Sequence, residues 1–210
     1  MSAEMPPPPA PPTPPTGGYP ATFVFDPPES IARWRVIGNI ILAIPHFIVL
    51  YALNIVAELL AFVAWILGVF TGKVPAGILG IIAMYVRYST RVSVYAGFLT
   101  EEYPPFTFGT TSVDPGDYAR VNVGFAPETE GRNRLTIFFR IILAIPHLIV
   151  LGLISIVAFF VYVVAFFAVL FTAKWPVGLR NFVVGLLRWS TRLNAYMYLL
   201  TDKYPPFSLE

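Results

Sequence analysis

The sequence IILAIPH occurs at residues 40–46 and returns at residues 141–147. Shifting the chain by 101 residues superposes residues 33–106 on residues 134–207 without a gap, and 32 of the 74 aligned positions are identical. A repeat of this length predicts two copies of one structural unit.

We therefore predict a first unit over residues 21–109 and a second unit over residues 119–210, joined by a short polar link. Residues 1–20 contain nine prolines. Such a segment cannot bury apolar surface and favours an extended solvated tail, and docking to a proline-binding module is the alternative.

The composition favours a membrane protein. Hydrophobic residues make up 56% of the chain and charged residues 12%, about half the usual share in soluble domains. The net charge of +2 gives no reason to expect a nucleic-acid partner. The absence of cysteine excludes disulfides, thiol nucleophiles and cysteine metal sites. The chain also lacks the common hydrolase, zinc-protease and nucleotide-binding motifs, so we expect no enzyme activity and no cofactor.

Each unit begins with a short predicted strand, at residues 22–25 and 121–125, and residues 106–108 and 207–209 are candidates to pair with them. A helix follows in each unit and should kink or break at a proline, because proline removes a backbone donor. The helices are predicted over residues 31–44 and 132–145, and Pro45 and Pro146 directly follow them. We expect them to lie in the headgroup region.

Residues 49–70 and 149–171 are the clearest candidates to cross the membrane. The first contains one charge, Glu58, and the second contains none. About 20 apolar helical residues cross a hydrocarbon core of roughly 30 Å.

A second helix in each unit, over residues 75–99 and 176–200, is long enough to return across the bilayer. Its arginines are costly at that depth, so we predict a return span that faces them into protein.

The predicted fold is an all-α membrane protein: a tandem repeat of two helical hairpins, about four transmembrane helices, with interfacial helices and short cytoplasmic β-strands. Two crossings in each unit give a parallel repeat with both termini on one side. More basic residues lie on the side of the termini than near Lys73 and Lys174. The positive-inside rule then predicts a multi-pass membrane protein with cytoplasmic N- and C-termini.

A hairpin that turns near residue 73 brings Glu58 and Arg87 to similar depth, which predicts an intramembrane ion pair. The pair either locks the hairpin or relays protons. The second unit has Phe159 at the position of the glutamate, which weakens a symmetric path.

The same hairpin turn places His46 near Glu101 and Glu102 at the membrane edge, and the equivalent turn in the second unit places His147 near Asp202. We interpret them as interfacial histidines bonded to a carboxylate or the backbone. Proton transfer and shared ligation of a haem iron are the alternatives. No metal site is predicted.

The repeated RYSTR and RWSTR segments, at residues 87–91 and 188–192, supply four arginines in helical register. Basic pockets between helices bind anionic lipid headgroups, so these arginines are candidates for lipid or partner binding. They are Arg87, Arg91, Arg188 and Arg192.

The ordered signatures ILAIPH, TGKVP or TAKWP, RYSTR or RWSTR, and YPPF resemble the bacterial membrane family called domain of unknown function 4389. The resemblance covers nearly the whole chain beyond the tail, and it occurs twice. It implies a protein of the bacterial inner membrane and no known activity.

We expect an accessory or scaffold protein that packs against membrane lipids, other membrane proteins or a second copy of itself. The alternative is a small transporter or channel whose arginines line a path at the repeat interface.

Overall fold

The computed structural model describes residues 18–210, so most of the proline-rich tail lies outside the described residues. The two predicted strands are present as β1 (Ala21–Phe25) and β2 (Val121–Phe125). They pair with each other in an antiparallel ribbon, with Phe23 opposite Val123. One strand from each unit therefore joins the two repeats.

The predicted pairing of residues 106–108 and 207–209 with these strands is wrong. Both segments are irregular, and each follows two consecutive prolines that cannot donate to a strand ladder. Phe106 and Phe207 stack instead on the histidine rings of their own units.

In the first unit, the helices preceding the turn are α1 (Arg35–Leu42) and α2 (Ile44–Thr71). The chain breaks at Ala43, so the predicted interruption near Pro45 is confirmed. Pro45 lies in the first turn of α2, where a backbone N–H has no intrahelical partner in any helix.

The second unit breaks at a different place. Its helix α4 spans Arg134–Phe138, and α5 spans Arg140–Thr172 and continues through Pro146. The prediction of a helix over residues 132–145 that ends at this proline is therefore wrong. The Asn133 side chain starts α4 by accepting hydrogen bonds from two backbone N–H groups.

The second helix of each unit is confirmed, as α3 (Ala76–Ala96) and α6 (Val177–Met197). Each begins after a proline in extended conformation. The turns before them use a left-handed residue at the end of α2 and α5, Gly72 with φ 71° and Ala173 with φ 59°.

The units are related by an approximate two-fold axis. The hydroxyl oxygens of Thr90 and Thr191, which are equivalent positions in the repeat, lie 3.4 Å apart where α3 crosses α6. The antiparallel β1–β2 ribbon is centred on a second equivalent pair. The axis therefore runs from the α3–α6 contact through the ribbon.

Helices α2 and α5 run antiparallel. At the end of α2, the Gly72 carbonyl accepts from the Arg132 N–H at the start of the second unit, over 3.3 Å. At the end of α5, the Ala173 carbonyl accepts from the Ile31 N–H at the start of the first unit, over 2.8 Å. Each long helix thus ends where the other unit begins.

This arrangement corrects the predicted parallel repeat. Had both units crossed a bilayer in the same sense, the turn after α2 would lie far from the start of the second unit. The structure brings them together, since Lys73 forms an exposed ion pair of 3.2 Å with Glu130. Lys73 in the turn therefore contacts a residue that the parallel repeat places on the opposite side of the membrane.

The chain forms three layers. Helices α3 and α6 form the middle layer and contact α2 and α5 on one side and the ribbon on the other. Thirteen of the 21 residues of α3 are buried, so α3 is a core helix.

Two helices in the described part of the chain are long and apolar enough to cross a membrane, α2 with 28 residues and α5 with 33. In each, only 11% of the most apolar 18-residue window is buried. The outer face of this layer is therefore apolar and uncovered, which weakly favours membrane association.

Candidate functional site: a buried arginine cluster on the internal two-fold axis

The RYSTR and RWSTR segments lie where α3 and α6 meet the ribbon, and each sends an arginine to the strand of the other unit. Arg87 Nε donates to the Val123 carbonyl over 2.9 Å. Arg188 Nε donates to the Phe23 carbonyl over 3.5 Å. The two arginines thus tie each middle-layer helix to the opposite repeat.

The remaining Arg87 donors bind the link between the units. Its guanidinium donates to the carbonyls of Thr111 and Ser112 over 2.7 and 3.0 Å, and more weakly to its neighbours Gly109 and Val113. A guanidinium presents five donors in a fixed fork, and here they face backbone oxygens. Arg87 therefore holds the link against the core.

Asp114 balances the charge of this cluster. Its carboxylate accepts from Arg91 over 2.8 Å and lies 3.8 Å from Arg87. It also accepts from the Val123 N–H over 2.7 Å. The Asp114 side chain is 1% exposed, so the ion pair is enclosed by protein.

Asp117 is the second carboxylate on Arg91, at 2.7 Å. Partial burial raises the pKa of Asp117, but the hydrogen bond and positive charge of Arg91 outweigh that effect and leave the pKa below its usual value. Both acids come from the link. No role is predicted for them from the sequence, because no spacing rule connects a loop to the helix against which it packs.

The predicted ion pair between Glu58 and Arg87 is wrong. Glu58 is exposed on α2 and accepts a hydrogen bond from Asn54 over 2.9 Å. Arg87 points away from α2, toward the ribbon and Asp114. A hairpin turn places Glu58 and Arg87 at similar depth, but it does not determine the direction in which the Arg87 side chain points.

The lipid-binding prediction does not fit Arg87 and Arg91, which are 3% and 1% exposed. Their charges are held by protein groups, so a lipid headgroup cannot reach them. Arg188 and Arg192 are half-buried, and Arg192 donates to the Ser208 carbonyl over 3.4 Å. For these two residues lipid or partner binding stays a prediction.

The two histidines occupy equivalent aromatic pockets. His46 Nδ1 lies 2.6 Å from the Tyr88 hydroxyl, and the ring stacks on Phe106 with centroids 4.2 Å apart. His147 Nδ1 accepts from Trp189 Nε1 over 3.0 Å. Its ring stacks on Phe207.

The predicted carboxylate partners of both histidines are therefore wrong, since the aromatic residue of the RYSTR or RWSTR segment bonds each ring. Trp189 is only a donor, so His147 presents an unprotonated Nδ1. Within residues 18–210, no group of three or more histidine and acidic side chains is arranged to hold a metal ion. The haem alternative gains no support from this arrangement.

A second charged cluster was missed by the sequence reasoning. Asp202 accepts from Arg132 and Arg140, each at 2.5 Å. Burial raises the pKa of Asp202, but the hydrogen bonds and charges of the two arginines outweigh burial and leave the pKa below its ordinary value.

The same cluster shows how the repeats diverged. Arg140 donates to the carbonyls of Tyr196 and Thr201 near the end of α6. At the equivalent place in the first unit, Asn39 donates to Tyr95 and Thr100 over 2.8 and 2.7 Å. Asn39 and Arg140 are polar residues at the same repeat position within apolar segments, and this pattern is the sequence signal for the site.

Two apolar grooves lie at repeat-equivalent places beside the long helices. The larger, of about 550 Å³, is formed by α1, the end of α3 and the second half of α5. The smaller, of about 270 Å³, is formed by α2, the start of α5 and the end of α6. Their linings are apolar apart from Tyr162 in the larger groove and Arg140 in the smaller, so they suit hydrocarbon rather than a charged solute.

Comparison with known families gives one match. The sequence profile described as domain of unknown function 4389 (DUF4389) matches residues 33–107 and 134–208. The chain belongs to the DUF4389 family. Its two DUF4389 copies are the two units of the structure, so the suspected family and its duplication are confirmed. No curated protein and no solved structure matches the chain.

Proposed function

We propose that this DUF4389 protein is a non-catalytic accessory or scaffold protein of the bacterial inner membrane. It binds lipid through its long helices and offers the same apolar surface to the helices of other membrane proteins. The observation that carries the proposal is the outer surface of α2 and α5, because only 11% of the residues in the most apolar window of each helix are buried. A contiguous apolar surface of this extent marks a membrane or protein interface.

The use of the arginines supports a structural role for the interior. Arg87 donates to backbone carbonyls of the second unit and the link, and Arg91 pairs with Asp114 and Asp117, so these contacts hold the two units together. The transport alternative needed these side chains to line a path. Arg87 and Arg91 are instead enclosed by protein and paired within the fold, so we favour the scaffold over the transporter.

We also propose that the ribbon and both termini face the cytoplasm. The Tyr19 hydroxyl donates to the Lys203 carbonyl over 2.9 Å. The first described residues and the last segment of the chain therefore lie side by side. Arg188 donates to the carbonyls of Phe23 in the ribbon and of Leu209, so the last residues of the chain lie beside the ribbon.

Site-specific photo-crosslinking tests the proposal. A benzophenone amino acid at Phe62, on the outer face of α2, should give adducts with lipid or membrane proteins in native membranes. The matched control at Ala119, which is exposed beside the ribbon, should give none with lipid. Alkaline carbonate should leave the protein in the membrane fraction.

Two results contradict the proposal. Release of the protein by carbonate, together with equal adducts from both positions, would show that the apolar face does not contact membrane. Solute flux through vesicles containing the purified protein, above that of empty vesicles, would favour the transporter.

A further inference from the structure

We infer that the protein embeds in one leaflet of the bilayer, with α2 and α5 lying in the membrane plane rather than crossing it. This inference rests on the proposed membrane function and specifies its geometry. The occupant of the exposed apolar face is then lipid hydrocarbon, and the ribbon points away from the membrane.

The antiparallel helices give the first reason. Because α2 and α5 run in opposite directions, the internal two-fold axis is perpendicular to both. If both helices crossed the bilayer, that axis would lie in the membrane plane at mid-depth. The axis passes through the Thr90–Thr191 contact and the centre of the β1–β2 ribbon, so the ribbon would be held at mid-depth as well.

The charges beside the ribbon give the second reason. The Asp26 side chain is 78% exposed, and its partner Arg120 is 37% exposed. Charged side chains at bilayer mid-depth are costly, because hydrocarbon cannot solvate them. With the axis along the membrane normal, these residues lie in water and no such cost arises.

The exposed cations at the two ends of the helical layer give the third reason. Arg134 donates to the Thr71 carbonyl and so lies beside Lys73. The repeat-equivalent residues Arg33 and Lys174 lie at the other end, because the backbone at Ile31 bonds the end of α5. A crossing orientation places one basic pair on each side of the membrane, against the positive-inside bias. The in-plane orientation places both pairs at the same headgroup level, where anionic lipid attracts them.

The dimensions agree with one leaflet. A helix with its side chains is about 10–12 Å across, and half of a hydrocarbon core is about 15 Å. The buried stripe of α2 follows Ala57 and Ala64, and the opposite face carries exposed residues such as Ile48 and Leu59. Such a helix lies with its protein-facing stripe toward the headgroups and its outer face in acyl chains.

Single-cysteine labelling separates the possible topologies, and the chain has no native cysteine. We would introduce Lys73→Cys, Lys174→Cys or Ala119→Cys into the full chain and treat intact cells with a membrane-impermeant maleimide. The in-plane geometry leaves all three sites unlabelled until the cells are opened, and then labels all three. Labelling of Lys73→Cys and Lys174→Cys from opposite sides would show crossing as an inverted repeat. Labelling of both from outside, with Ala119→Cys inside, would show the parallel repeat.

A depth profile provides the second measurement. Nitroxide labels at Ile48, Ile55 and Ile66 sit on the lipid-facing side of α2, over about 27 Å of helix at 1.5 Å per residue. In vesicles of phosphatidylethanolamine and phosphatidylglycerol, the in-plane helix gives three similar depths in one leaflet. A crossing helix gives shallow values at the two ends and a deep value at the centre, which overturns the inference while retaining the membrane function. Water-exposed labels at all three positions would overturn the proposed function itself.

Discussion

Replacing Asp114 by asparagine should weaken the fold substantially. Its carboxylate is 1% exposed and accepts from Arg91, from the Val123 N–H and from the Gly116 N–H. Asparagine has the same shape, but its NH₂ group meets donors where the carboxylate accepted, and Arg91 keeps only the partly exposed Asp117 as its counter-charge. Removing one partner of a buried ion pair costs about 3–5 kcal/mol. In a chain of this size each kcal/mol lowers Tm by about 2–4 °C, so a fall of about 6–20 °C is expected.

The assay is thermal unfolding of purified protein in mild detergent, followed by the fluorescence of its four tryptophans at one fixed scan rate. Asp26→Asn is the matched control, because it removes an exposed carboxylate that also pairs with an arginine. Exposed pairs contribute little, so the control should melt within about 2 °C of wild type. If Asp114→Asn melts within the same range, the buried cluster does not hold the repeats together. If the variant does not accumulate, Asp117→Asn should show a smaller fall, since Asp117 is 26% exposed.

Three further predictions use the same measurement. The pKa of Asp202 is lower in the folded protein than its unfolded value of 3.8. The charged carboxylate therefore stabilises the fold at pH values above 3.8, and this stabilisation is lost as pH falls through the folded pKa. Asp202→Asn should therefore melt below wild type at pH 7, and the difference in Tm should narrow as pH falls below about 4; a constant difference would contradict the linkage. Gly80→Ala should destabilise, because an added Cβ would lie 2.4 Å from the Thr110 carbonyl oxygen, whereas Gly77→Ala has open space and should not. Trp189→Phe should cost about 1 kcal/mol by removing the donor to His147, and an unchanged Tm would show that the hydrogen bond is not needed.

Local signals in the sequence predicted the elements well. The gapless repeat marked both units, which the DUF4389 matches confirm. Apolar runs placed α2 and α5, and prolines placed the starts of α3 and α6. These features depend on residues close in the chain, where helix propensity and proline geometry act directly.

The partners of the charged residues could not be predicted, because they depend on how the repeats assemble. The predicted pair of Glu58 with Arg87 came from considering the hairpin of one unit alone. In the structure Arg87 reaches the strand of the other unit and an aspartate of the link. Both contacts follow from the two-fold arrangement, which no local spacing encodes.

The histidine pockets show the same limit on a smaller scale. Their aromatic stacking partners lie in the repeated YPPF segments, and their hydrogen-bonding partners lie 42 residues further along the chain. All of these residues were visible in the repeat alignment. Predicting that they lie together requires knowing the path of the chain after α3. There the prolines direct the chain back along the helix rather than into a strand.

The distribution of polarity through the layers explains how one sequence can bury arginines and expose isoleucines. A soluble fold places its apolar residues inside, because water surrounds it on every side. Here the middle layer encloses Arg91, and the outer faces of α2 and α5 carry exposed apolar side chains such as Ile48 and Leu59. Placing lipid beneath α2 and α5 and water beyond the ribbon satisfies both observations. The buried charges then lie in the layer farther from hydrocarbon, with backbone carbonyls and Asp114 as their partners, while the apolar helices need no protein cover.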